Sequence, residues 1–520
     1  MKLFSNRLNP VILVVIGLFF LSCSSDKIPQ DEIVAKVGNK IITAKEFAAS
    51  YEFSFQTLRI GPNPRKTYLD FMIKELLIAN EGYANGFNNH KYVTKRLKTR
   101  TNKALLESFY TKYVYNKVNV PEDKIIDALK KASIKFRLLI LPTPSLEKAA
   151  IAYDSAVESD LGDYIDKQLD KLEIKNTSRK NFETDWLDYM EMPPDMFDQI
   201  KNLEIGVPSK PIQYQNGYAI FQVIDIQREA IKSDELKYGP KRKKMYARLF
   251  NIESDKIVHK LMDSILTPMN VKVSNKTVDK MVEPLFEWLK QGLPKRGTIV
   301  NNLKSVTDTS AAYLIQLKNL LTEQLLTTND GVKTVEDYFE YMNYYRKVIN
   351  QSSDLIDLKN RLLTEIGTMI KNDKFIDIAK NEGFLDSASV KEDLNLWEEK
   401  WTYDIYRAQM TKDIEITNEE MQKFFKERWR ELRIADVDTT RFYKYEDDVY
   451  NFIKYEKHMA LLNVELEKLK EKYDVWINED VLNNLKLNDD PKSSETSVIV
   501  IKNFSGELLV PTADPTWLTY

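Results

Sequence analysis

A chain of 520 residues is too long for one core, and at roughly 150 residues per domain it implies several modules. Apolar residues make up 43% and charged residues 30%, apolar enough to fold and too polar for a polytopic membrane protein. Lys and Arg number 76 against 78 Asp and Glu, so no global field favours nucleic acid, while only 15 Gly and 18 Pro point to a mainly helical chain.

At the N-terminus Lys2 and Arg7 precede VILVVIGLFFLSC, a run too short for a stable anchor and suited to the core of a signal peptide over residues 1–22. It ends at Cys23, the only cysteine, which opens a polar tether over 23–32. The arrangement resembles the lipobox of bacterial lipoproteins. That resemblance implies a lipid on Cys23 and a place in the cell envelope, facing the periplasm, with Ser24 compatible with the outer membrane. A mature chain with no other thiol forms no internal disulfide, which suits an oxidising compartment.

Next comes IVAKVGNKIITAKEF, which predicts a strand pair around Gly38-Asn39, then a helix capped by Thr43 with Glu46 completing a capping box. Helix is predicted on to about Val118, with Leu105, Phe109 and Tyr113 on one face. VPEDKIIDALKKA starts another helix, with Pro121 at its first turn.

The chain then repeats itself. GVKTVEDYFEYM echoes NKIITAKEFAASY, matching Thr334 to Thr43, Asp337 to Glu46 and Tyr338 to Phe47. EGFLDSASVKEDL echoes NGFNNHKYVTKRL, pairing Gly383 with Gly86 and Val390 with Val93 at one constant offset, and IEITNEEM echoes VNVPEDKI. Last, DVWINEDVL echoes NVKVSNKTV. Four echoes in one order indicate two copies of one module. Between the last two echoes the first copy runs from Val120 to Val271 and the second only from Ile416 to Val475, so the first carries about 92 residues more. These readings divide the chain into a first helical module (33–132 plus 231–285), an inserted domain (133–230), a second helical module without an insert (286–487) and a C-terminal tail (488–520) in which VIVIKNFSG is a possible strand.

Read alone, the insert is α+β: the strand IKFRLLILPT, the helix former LEKAAIAYDSAVESD, the helix PPDMFDQIKNL, the turn EIGVPSKPI and the strand NGYAIFQVID. VAKVGNKIITAKEF and MPPDMFDQIKNLEIGVPSKPIQYQNGYAIFQVID resemble, respectively, the opening of the chaperone module and the second half of the parvulin-type prolyl isomerase domain in SurA-like and PrsA-like periplasmic foldases. The resemblance implies a mainly α fold with an α+β insert: two SurA-N-like helical modules, the first carrying a parvulin-like domain. It places a proline slot at Met192 and Phe197, with Met196 able to replace either, and it adds Phe221 to the peptide-binding set. The family's two site histidines fall on Leu138 and Ala219, so both are replaced. The chain's three histidines, His90, His259 and His458, lie outside the insert and show no metal-ligand spacing.

No metal and no cofactor are expected, and no phosphate-binding or nucleophile motif occurs. PKRKK, Pro240 to Lys244, reads as a solvated hinge. The expected function is that of an envelope lipoprotein holdase that binds unfolded client polypeptides, outer-membrane proteins among the candidates, in apolar grooves near a membrane, with no nucleic acid partner. Two alternatives stand beside it: an active prolyl isomerase, and a dedicated assembly factor of one envelope complex.

Overall fold

The computed structural model describes residues 32–214, 217–230, 239–294, 298–307, 311–343, 349, 352–435, 437–487 and 510–518. Cys23, the signal peptide, all of the tether but Glu32, and VIVIKNFSG lie outside these residues. In chain order run β1 (Ile33–Val37), β2 (Lys40–Thr43), α1 (Ala44–Glu52), α2 (Pro64–Ala84), α3 (Lys91–Tyr113), α4 (Glu122–Lys131), β3 (Ile134–Thr143), α5 (Leu146–Val157), α6 (Leu161–Lys171), α7 (Pro194–Ile200), β4 (Ile212–Tyr214), β5 (Gly217–Arg228) and α8 (Pro240–Leu266). There follow β6 (Lys272–Val273), α9 (Asn275–Gln291), α10 (Ile299–Ser305), α11 (Ala312–Leu320), β7 (Gln324–Thr328), β8 (Gly331–Thr334), α12 (Val335–Met342), α13 (Leu355–Asn381), α14 (Ala388–Met410), α15 (Asn418–Arg428), α16 (Glu446–Lys472), β9 (Val475–Ile477) and α17 (Glu479–Asn484). The fold is mainly α with small antiparallel sheets, and the described residues form two compact units, one spanning Tyr113–Asp263 and the other combining Glu32–Lys112 with those from Ser264. Among the described residues no helix is long and apolar enough to cross a membrane.

The larger unit holds the duplication. Thr43 and Thr334 each cap a helix, with Glu46 and Asp337 closing the capping boxes, so two orphan amides are satisfied at each start. Gly86 and Gly383 each adopt the left-handed conformation, φ 75° and 76°, that ends one long helix and turns into a short 3₁₀ segment before the next.

Packing crosses the copies. β9, from the second copy, pairs antiparallel with β1 of the first, while β6, from the first copy, pairs with β7 of the second. Helices cross likewise. α14 lies against α2 through the Lys400–Glu75 ion pair and the Tyr83 to Glu398 hydrogen bond, whereas α3 meets α13 where Phe109 stacks on Phe375. One core therefore joins β1, β2, α1 and α2 to Tyr403, Leu462, Leu466, Leu469 and Leu482; another joins β7, α12 and α13 to Val278, Met281 and Leu285 of α9. This differs from the expected modules 33–132 plus 231–285 and 286–487: the sheets are not divided by repeat copy, and the boundary at 285/286 falls inside α9. The physical reason is that each hairpin leaves a strand edge to cover. The strand that reaches it adjoins a helix that buries apolar residues in that core, α16 before β9 and α9 after β6. The C-terminal segment 510–518 also enters the first core, through Ala513 and Trp517.

The crossing makes Gly82 a contact point. A Cβ there would meet Thr402 Cγ2 at 2.9 Å and Tyr406 Cβ at 3.1 Å, both on α14. Gly82→Val is expected to lower the stability of this unit by about 1–3 kcal/mol through overpacking. A urea midpoint unchanged from wild type would show that α2 and α14 do not meet there.

In the smaller unit, β3, β5 and β4 form an antiparallel sheet in the order β3-β5-β4. Alternation along β3 and β5 sorts its two faces. Leu139, Leu141 and Ile220 pack with Ala152, Ala156, Leu161 and Ile165 of α5 and α6. Phe136, Leu138, Ile140, Ala219, Phe221 and Val223 pack under α7, the segment Leu187–Met192, α4 and Met245 of α8. Helices α4 and α8, expected with the first helical module, thus share a core with the sheet here.

Candidate functional site

The second of these faces carries the positions where a prolyl isomerase site is expected. Met192, Met196 and Phe197 come from α7 and the turn before it, Leu138 from β3, Ala219 and Phe221 from β5; all six belong to one cluster, and none is more than 4% exposed. Leu138 is paired across the sheet with Val223, and Ala219 with Pro142, so the two positions share a face without facing each other. Neither side chain has a polar atom with which to polarise an amide.

The ring of Phe197 is held edge-on by Phe136 at 5.8 Å and Tyr189 at 5.1 Å, a geometry that suits the aromatic quadrupole. Tyr214 meets Phe221 edge-on at 5.5 Å. The segment leading to α7 is tied down by α8: Arg248 donates to the carbonyl of Met190 at 2.9 Å and to the carbonyl of Met192, with its guanidinium 5.5 Å from the Tyr189 ring. Lys131 approaches the same ring at 5.4 Å. Charged donors to carbonyls are among the stronger hydrogen bonds, so this clamp keeps the Met192 side chain on the sheet.

The sheet edges are closed by side chains too. Leu138 N–H donates to Thr184 Oγ1 at 3.0 Å, and Thr184 N–H returns a bond to the Leu138 carbonyl at 2.8 Å. Buried Ser209 accepts from Phe221 N–H at 3.0 Å and donates its own N–H to the Phe221 carbonyl at 2.7 Å. On the far face Gln222 accepts from Leu161 N–H at 2.9 Å and donates to Asp160 at 2.7 Å. The backbone polar groups around the six residues are thereby satisfied within the unit.

No family model matches the chain, and no curated protein matches it. Its structural neighbours are PrsA-type and SurA-like. PrsA peptidylprolyl isomerase from Bacillus anthracis is 14% identical, with 38% of this chain and 96% of that one covered and a TM-score of 0.23. For the SurA-like chaperones PEB4 and Cj1289 of Campylobacter jejuni the match is 17% identical, covers 47% of this chain and 100% of that one, and has a TM-score of 0.22. PrsA from Bacillus cereus is 16% identical, with 48% and 96% covered and a TM-score of 0.21.

Several side chains that shape this face were not singled out from the sequence: Thr184, Arg248, Tyr189 and Ser209. Arg248 sits in an otherwise ordinary charged helix, and only its reach across to Met190 and Met192 distinguishes it. Of the three histidines only His259 belongs to this unit, exposed on α8.

Proposed function

We propose that this protein is a chaperone of the bacterial cell envelope that holds unfolded polypeptides, and that its parvulin-like unit binds rather than isomerises. One observation carries the reading. The six residues expected to grip proline are buried in a closed core, while large apolar side chains of the same unit stand in solvent, Ile151 at 60% and Leu172 at 64% exposure. Isomerisation requires lowering a barrier of about 18–20 kcal/mol by enclosing the ring and polarising the amide. A closed face with leucine and alanine at the two histidine positions supplies neither the enclosure nor the polarisation. Exposed apolar groups, by contrast, are what an extended client covers. The sequence resemblance to SurA-like and PrsA-like foldases supports the same class. We further propose, from Lys2, Arg7 and Cys23, that the chain is lipid-anchored and faces the periplasm.

The test is a proline-limited refolding assay run beside an aggregation assay. Equimolar protein is expected to leave the prolyl step within about twofold of its uncatalysed rate, because pre-organised polar groups usually supply most of a site's effect. It should also suppress aggregation of several unrelated denatured proteins. A large acceleration would replace this reading with the isomerase. Failure to protect any denatured protein, with one envelope partner co-purifying at fixed stoichiometry, would replace it with the assembly factor.

A further inference from the structure

The described C-terminal residues, Val510–Leu518, occupy a built site in the larger unit. Ala513 and Trp517 are buried in the first core, and the residues numbered 488–509 connect this segment to Leu487, which packs at the edge of the same core. The Ala513 amide donates to Tyr68 Oη at 3.0 Å. The nearly buried carboxylate of Glu75 accepts from the Asp514 amide and, at 2.9 Å, from the Trp517 indole, while Lys400 balances its charge. Asp514 in turn pairs with Arg407 and accepts from Tyr403 Oη at 3.1 Å. The indole lies parallel to Phe71, 6.3 Å between centroids and 4° between planes, with Arg407 5.1 Å from its ring.

Every element of this recognition is a feature of a short peptide that turns after its acid: one carboxylate, two backbone amides and an indole three positions after the acid, brought onto Glu75 by a 3₁₀ turn over Pro515–Leu518. Without an occupant, Glu75 and Arg407 would keep buried charge with fewer partners, which is costly. The described residues do not fill the site. Beside Val510 and Pro511 lies a cavity of about 120 Å³, bounded by Ile41, Met72, Leu76 and Leu396, where a larger apolar side chain would gain burial.

We propose that this cleft is a binding site for short peptides in which an acidic residue precedes a tryptophan by three positions across a tight turn, and that Val510–Leu518 is its occupant in cis. The tail holds the site until a client segment of the same pattern, bulkier at its start, displaces it. This deepens the chaperone reading by naming a client pattern, but the binding itself does not depend on aggregation suppression. Covalent attachment makes the tail a competitor at high effective concentration, so clients of ordinary affinity are excluded unless they are abundant or better fitted.

The test leaves the groove residues unchanged. A protease site is placed within residues 488–509 of the full chain, the folded protein is cut there, and uptake of a fluorescent synthetic peptide VPTADPTWLTY is followed by anisotropy. The cut protein is expected to exchange its tail for the labelled peptide, and the uncut protein to bind it at least about tenfold more weakly. Trp517→Ala in the peptide should weaken binding about 30-fold and Asp514→Asn about tenfold, while Val510→Phe should tighten it. No exchange after cutting, equal binding by cut and uncut protein, indifference to both peptide substitutions, or unfolding upon cutting with loss of circular dichroism would each overturn the proposal by making the tail a fixed structural strut. Aggregation suppression by the uncut protein is scored separately, so loss of the chaperone reading and loss of the peptide site give different results.

Discussion

Phe375→Ala and Phe109→Ala are each expected to lower the stability of the larger unit by about 3–5 kcal/mol, and the double variant to lose less than their sum. Phe109 is 1% exposed and Phe375 0%, and their rings stack at 4.2 Å with 19° between planes. Around them Lys112 pairs with Glu382 at 2.8 Å and lies over the Phe384 ring. Either truncation leaves a cavity that the helices close only partly. An aromatic pair adds about 0.5–1.5 kcal/mol beyond its buried area, and that coupling is what the double variant reveals. The measurement also discriminates between architectures. Phe109 belongs to the first repeat copy and Phe375 to the second, so copies that folded as separate modules would give additive losses. Additivity within about 0.3 kcal/mol in urea unfolding would therefore reject the crossed arrangement.

The repeat was legible because it is written in residues whose roles are local. A capping Thr with an acid three positions later, and a Gly at a left-handed helix end, mean the same thing wherever they occur. Thr43 and Thr334, Gly86 and Gly383 accordingly mark equivalent breaks, and α3 and α14 run for the same 23 residues. The crossing was not legible. β6 is two residues long and β9 three, too short to specify a partner by pattern, and a helix's apolar side does not name the core it enters. For the insert, the sequence identified which apolar residues would meet, but a lining and a packed core have the same composition. Closure depends on Arg248, more than fifty positions from Met192, and such a contact leaves no local signal. The docking of Trp517 was hidden for a similar reason. Its segment is short and without periodicity, and the turn that Asp514 caps by accepting from the Thr516 amide at 2.9 Å spans only four residues.

Glu365→Gln is expected to make the larger unit more stable at pH 8 while leaving it nearly unchanged at pH 4. Glu365 is 4% exposed on α13, and its carboxylate accepts from Tyr338 Oη at 2.8 Å. Burial pushes its pKa up from 4.5 to about 7, against the opposing hydrogen bond from Tyr338. In the unfolded chain this carboxyl ionises near 4.5, so between pH 4.5 and about 7 the folded state holds a proton that the unfolded state has released. Its contribution is fully present below pH 4.5 and is lost as the pH rises through about 7. A shift of this size corresponds to about 3 kcal/mol. Glutamine keeps an acceptor for Tyr338 and cannot ionise, so the variant escapes that loss. Asp404, pushed up to about 6 chiefly by burial, adds a slope of the same sign to both proteins, and for that reason the informative quantity is the difference between variant and wild type. Urea midpoints at pH 4, 5.5, 7 and 8 should show that difference opening between pH 4.5 and 7 and then holding constant. A difference that stays flat across the series would mean that Glu365 ionises as an ordinary surface acid, and would remove the buried Tyr338–Glu365 pair from the account of what holds the second core together.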